Sequence, residues 1–363
     1  ELRSYIETTL NTNAIAVSPG IFFVFKDDVE EQTFLSERQH VRREWAQLTQ
    51  RERVAPALFD SQTLLERHQE LFADFWRACL DFGRIPANSE FDLSERLRAI
   101  AGSHKKAFDI LIEQNGEDLF ARAQKARKGD LLVYFALGLF GKRKPYSHMP
   151  DGLQRDLKAF FGAHKNAVKE TTDLLFSVGK ADNITTACEE AHKALGCGLL
   201  ENQHSLTIHR SLVDQLPPIL RVYIGCATQL YGDVEGVDLV KVHISSGKVS
   251  LMGYDDFEGK PIPEMIRRVK INLREQEIDV FDYSGPYVPH PVYFKSRFIP
   301  KHFRNYQVQV EFDEKLAQLN CSDLSGFGPS RNELHSALTR VGMIVDGFEL
   351  LPLIQNPVRN TQQ

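Results

Sequence analysis

The sequence predicts an α+β fold: a largely helical body, a C-terminal mixed β unit, and a short helix followed by a β-hairpin at the N-terminus. Three observations carry this. From about Val29 to Leu230 the pattern repeats at three and four residues, as in Leu64, Leu65, His68, Leu71, Phe72, Phe75 and Trp76, and again in Leu93, Leu97, Ile100, Phe108, Leu111 and Ile112. After Gly236 the period drops to two, with Val240, Val242 and Ile244 alternating against Lys241 and His243. Before Val29, two unbroken apolar runs flank a Pro19-Gly20 turn.

At the N-terminus, Leu2, Tyr5, Ile6 and Leu10 share one helical face, and Ala14–Ser18 with Ile21–Phe25 form the hairpin. Continuously apolar strands belong in a sheet covered on both faces, and no further strand pattern is expected before about Val237. Residues 1–26 are therefore expected to dock on an open sheet edge, with Ile21, Phe23 and Phe25 or their neighbours unusually exposed, or covered by a partner chain, where the partner strands are lacking. A chain that opens at Glu1 reads as a fragment or a processed piece.

The helical body, residues 29–236, is punctuated at Phe82–Pro86, Lys142–Tyr146, Met149–Gly152 and Gly196–Gly198. Lys125, Arg127, Lys128 and Lys142–Lys144 flank the apolar stretch Leu131–Phe140 and read as the solvated ends of a buried helix. Leu206 and Ile208 suggest a short buried strand, which makes His204 and His209 capping or surface groups. Pro217-Pro218 opens a buried helix.

In the β unit, residues 237–300, the strands 237–244 and 248–254 join through Ser245-Ser-Gly247. A short helix from Pro263 to Arg268 is expected next, then strands at 269–273, 278–283 and 292–298. The tail, 301–363, is expected to pack helices at 312–319 and 332–341 on the β unit.

Composition narrows the function classes. With 42% hydrophobic and 26% charged residues the chain reads as a globular protein. It has neither an apolar run of about 18 residues nor a targeting segment. The expectation is a soluble protein of a bacterial-type cytoplasm with no membrane partner. The net charge of −5 exerts no overall pull on nucleic acid, so such contact requires a local basic surface. Five scattered cysteines fit reduced thiols, and Cys188, His192 and Cys197 lack the Cys-x-x-Cys spacing of a metal site.

Several segments in register resemble one family. They are Glu1–Ile6, Val17–Phe25, Leu131–Tyr134, Leu153–Asp156, Asp238–His243, Ser246–Ser250, Tyr254–Phe257 with Pro261, Lys270–Arg274 and Asp282-Tyr283. Together they resemble the DNA phosphorothioation-associated methyltransferase family of bacterial defence islands, over nearly the whole chain. The resemblance implies that residues 1–28 are the last helix and hairpin of an upstream, Rossmann-like methyltransferase domain. It implies S-adenosylmethionine as cofactor of that missing domain and none in this chain. The partners it implies are DNA, with or without sulfur in its backbone, and other defence-island proteins. The glycine-rich cofactor turn is missing, since Gly138 falls at a helix end and Gly326 with Gly328 in a turn.

Two functions of different classes follow. As a binding module, the chain would meet phosphates through Lys241, His243, Lys248, Arg267, Arg268, Lys270, Lys295 and Arg297, set against a comparable number of nearby carboxylates. The same module could serve protein interaction within a defence complex. As a metal-dependent nuclease, it would need Asp238, Glu258 and Lys260 to converge, although Gly259 and Pro261 favour a turn there.

Overall fold

The computed structural model describes residues 2–10, 14–18, 21–38, 64–140, 146–202, 204–232, 234–285 and 287–353. The Pro19-Gly20 turn and the Lys142–Lys144 cluster lie outside them. The architecture is α+β, and it divides into two compact units, residues 1–15 with 23–176 and residues 16–22 with 177–363.

The first unit is helical. It holds α1 (Leu2–Leu10), α2 (Asp28–Arg38), α3 (Gln69–Phe82), α4 (Ser94–Ala101), α5 (His104–Asn115), α6 (Glu117–Gly138), α7 (Asp151–Phe161) and α8 (His164–Ser177). Its main core gathers Phe72, Phe75, Cys79, Leu97, Ala107, Leu111 and Ala123, the three-and-four pattern seen in the sequence. α3 stops at Gly83, whose φ of +59° suits glycine. A Cβ there would also come within 2.8 Å of the Arg127 Cβ. Just beyond, Arg84 bonds Asp156 at 2.6 Å and both oxygens of Glu90 at 2.7 and 2.9 Å, and Arg127 bonds Asp156 at 2.7 Å. This buried charge network joins α6, α7 and the turn after α3.

β1 (Ile15–Ser18) and β2 (Ile21–Phe23) form a two-stranded sheet of their own. Phe23 is 43% exposed, and the side chain of Ile21 lies outside the described residues.

The second unit centres on six antiparallel strands in sequential order: β3 (Leu199–Glu201), β4 (Ser205–His209), β5 (Leu239–His243), β6 (Lys248–Tyr254), β7 (Met265–Asn272) and β8 (Glu277–Asp282). Register places Leu206, Val242, Val249, Ile271 and Ile278 in one row, with Ile208, Val240, Leu251, Val269 and Val280 beside it. Most of this apolar face is covered by α9 (Ala181–Leu195) and α10 (Pro218–Tyr231). Part of the opposite face is covered by Phe257, Val292, Phe298 and Ile299, which pack on Leu239, Met252 and Tyr254. The unit closes with α11 (Tyr306–Leu319), α12 (Arg331–Arg340) and the hairpin β9 (Met343–Asp346) with β10 (Glu349–Pro352).

Three sequence expectations are corrected. After the N-terminal hairpin, strands resume at Leu199, well before Val237, because β3 and β4, the latter holding the short strand suggested by Leu206 and Ile208, complete the same sheet. Pro263–Arg268 is not a helix. From Met265 the chain pairs with β6, through an irregularity at Gly253 and Tyr254, and cross-strand pairing outweighs the local helix-start signal at Pro263-Glu264. Residues 292–298 are not a strand either. A single bridge joins Glu264 to Pro291, and Phe294, with a φ of +52°, turns the chain into a 3₁₀ turn at Lys295–Arg297.

Candidate nucleic-acid interface

The face of the sheet opposite α9 and α10 is polar over one half, and its composition follows from strand register. Thr207, Lys241, Ser250, Lys270 and Asp279 are successive partners across β4 to β8. On one side of this row lie Ser205 beside His243 and Lys248 beside Asn272; on the other, Met252, Arg268 and Phe281. The period of two that buries Val240 and Val242 therefore turns every second residue, many of them basic, to this face.

Hydrogen bonds fix several of these side chains. Lys241 donates to Glu201 Oε2 at 2.6 Å, and Ser205 donates to the same oxygen at 2.5 Å. His243 Nε2 meets the Ser250 hydroxyl at 3.1 Å, and Arg268 Nη2 donates to that hydroxyl at 3.4 Å. The Arg268 Nε is buried without an acceptor, so the guanidinium keeps donor capacity that Ser250 does not satisfy. His204 stands edge-on to His243 with ring centroids 5.8 Å apart.

The electrostatics report the same convergence. Burial, followed by the positive fields of Lys241, Arg268, His204 and Lys270, pushes His243 down to about 4. His209, at the apolar half of the face, is likewise pushed down to about 4, by burial first and then by Arg210 and Lys295. Both imidazoles are thus neutral in the fold and protonate more readily in the unfolded chain. Their contribution to stability is full above pH 6.5 and falls as pH drops from 6.5 toward 4. The thermal midpoint is expected to be lower at pH 5.5 than at pH 7.5, and less so in His209→Gln or His243→Gln. Equal slopes in parent and variants would refute this origin.

Of the eight sequence candidates, Lys241, His243, Lys248, Arg268 and Lys270 share this face. The other three do not. Arg267 points to the helix side, where it contacts the Tyr231 hydroxyl and lies 5.6 Å from that ring centroid. Neighbours in a strand diverge, so Arg267 and Arg268 could not both face one ligand. Lys295 is 1% exposed, and its ammonium donates to the carbonyls of Phe257 and Lys260. Its position on a presumed outward strand is corrected to a buried clamp. Arg297 is exposed on a separate turn, stacked 4.4 Å from the Phe294 ring centroid. Sequence reasoning missed Glu201, Ser205 and Ser250, although Ser205, Thr207 and His209 already alternate with Leu206 and Ile208.

The face does not have the form of a nucleophilic site. Ser205 and Ser250 are wholly buried, and the hydroxyl of each already bonds its neighbours. The nuclease set does not assemble. Asp238 accepts the Tyr254 N–H at 2.8 Å, Lys260 pairs with Asp255 at 2.6 Å, and no group of three His, Cys, Asp or Glu able to hold a metal ion occurs among the described residues. Cys188 belongs to the core between α9 and the sheet, where burial pushes its thiol up to about 12.

Comparison with family models, curated proteins and solved structures finds no match. The chain's own geometry therefore carries the functional argument. Among the described residues, neither Gly138, at the end of α6, nor Gly326 and Gly328, in a turn before α12, follows a strand as a Rossmann-type glycine-rich turn does. No described helix is long and apolar enough to cross a membrane.

Proposed function

We propose that this chain is a DNA-contacting, target-positioning module of a bacterial DNA-modification or defence system, with the polar half of the six-stranded sheet as its phosphate-facing surface. The observation that carries this reading is the gathering of Lys241, Lys248, Arg268 and Lys270 on one face, set there by strand register around His243. Phosphate contact requires clustered cations, and their spacing across adjacent strands suits a charged backbone better than a single small anion. Glu201 and Asp279 temper the field. In this reading β1 and β2 close the sheet of an upstream methyltransferase domain, which would supply S-adenosylmethionine and the chemistry. The exposed Phe23 supports that role.

Fluorescence anisotropy of plain and phosphorothioated duplexes across a salt series tests the proposal. Lys248→Ala with Lys270→Ala is expected to weaken binding equally for all sequences and to lower the slope of log affinity against log salt by roughly two. A folded double variant with unchanged affinity and slope would sink it.

A protein-interaction role has one observation in its favour. The edge strand β8 leaves Ile278 38% and Val280 50% exposed. Loss of a defence-complex partner on Val280→Lys, with DNA binding intact, would select that reading.

A further inference from the structure

Beside the cationic rows, the sheet leads into a continuous run of rings. Phe281 is the cross-strand partner of Arg268. Its ring centroid lies 5.8 Å from that of Tyr287, which lies 5.9 Å from Tyr283; Tyr283 in turn lies 5.6 Å from His290. His290 stacks on Phe327 at 4.6 Å with only 27° between the planes. Tyr287 is 49% exposed and Phe327 55% exposed. Large rings left this open at a surface call for a partner.

We propose that these rings stack the unpaired bases of single-stranded nucleic acid while the lysine and arginine rows hold its phosphates. The inference rests on the phosphate-facing reading of the sheet and names the form of nucleic acid that the whole surface fits. In a duplex every base face is already covered by its neighbours, so exposed rings find nothing to stack on. In a single strand each base offers a π-face, and aromatic side chains beside a cationic groove bind it with little regard to sequence. The juxtaposition is built into the fold. Arg268 and Phe281 are locked together by strand register, and Tyr283 packs against the cluster that holds Met252 and Tyr254. Asp279 on β8 lies in register with Lys270, so this carboxylate faces a cation across the strand. An acidic partner would gain from the lysines but leave the rings idle; an apolar peptide would do the reverse.

The test uses the full chain with a labelled oligodeoxythymidine strand and a duplex of equal length. The parent is expected to bind the strand more tightly than the duplex. Tyr287→Ala with Phe327→Ala is expected to lose about ten-fold or more in strand affinity, while duplex affinity and salt slope stay unchanged. Tyr287→Leu with Phe327→Leu keeps apolar bulk without a π-face, and it should lose strand affinity likewise even if the alanine pair folds poorly. Unchanged strand binding in the leucine variant overturns the inference, as does equal binding of strand and duplex by the parent. A dimer that depends on Tyr287 and Phe327, with strand binding unaffected, would assign the rings to a second copy and also overturn it. If Lys248→Ala with Lys270→Ala leaves the salt slope unchanged while the ring variants still lose strand affinity, the phosphate-facing reading fails and stacking stands alone.

Discussion

Asp156→Ala is expected to destabilise the helical unit by about 3–5 kcal/mol, the usual cost of stranding a buried charge. Asp156 is 2% exposed and accepts from two guanidinium groups, Arg84 at 2.6 Å and Arg127 at 2.7 Å. Removing it leaves both arginines, largely shielded from water, with one carboxylate fewer. Burial alone would raise Glu90, yet Arg84, the Ala87 N–H and Arg155 hold its carboxyl down at about 2, so Glu90 remains as a partial partner. The control is Asp74→Ala. Asp74 pairs with Arg77 on the surface, and its loss should cost no more than about 1 kcal/mol. Chemical denaturation followed by a probe in the helical unit reads both, and similar effects for the two would show that the buried network is energetically ordinary.

Lys295→Met is expected to cost about 2–4 kcal/mol in the second unit, although methionine nearly matches lysine in length. The ammonium donates to the carbonyls of Phe257 and Lys260 and lies 5.3 Å from the ring centroids of Phe257 and Phe348. Burial pushes it down to about 8, against the pull of Asp313, Asp256, Asp238 and Glu258. Without it, two carbonyls and a set of carboxylates lose their common cation. Two residues away, Arg297→Ala removes only an exposed guanidinium stacked on Phe294 and should cost less than about 1 kcal/mol. Equal losses at 295 and 297 would contradict the clamp.

The contrast between these two neighbours shows where the sequence stops being readable. Phe294-Lys-Ser-Arg297 looks like one more amphipathic strand, with Lys295 and Arg297 on the same side. The left-handed backbone at Phe294 breaks that alternation and sends Lys295 inward. Similarly, Met265–Asn272 reads ambiguously by itself, and only pairing with β6 and β8 makes it a central strand. Once it is a strand, Arg267 and Arg268 must part company. β4 is buried along its whole length, so alternation there survives only as Leu206 and Ile208 among hydroxyls.

By itself, the sequence determined the helical texture of much of the chain before Leu199, the β texture after Gly236 and the shared face of Lys241, His243 and Lys248, because periods of 3.6 and 2 are properties of the local backbone. Tertiary structure alone decided the six-strand order, the burial of Lys295, the Arg84–Asp156 bond across 72 residues of chain, and the meeting of the cationic rows with the rings from Phe281 to Phe327. Each of these depends on which distant segment covers or pairs with a residue. Neither the spacing of neighbours nor their chemistry encodes that choice, which is made by the burial of apolar surface and the pairing of backbone groups in the fold as a whole.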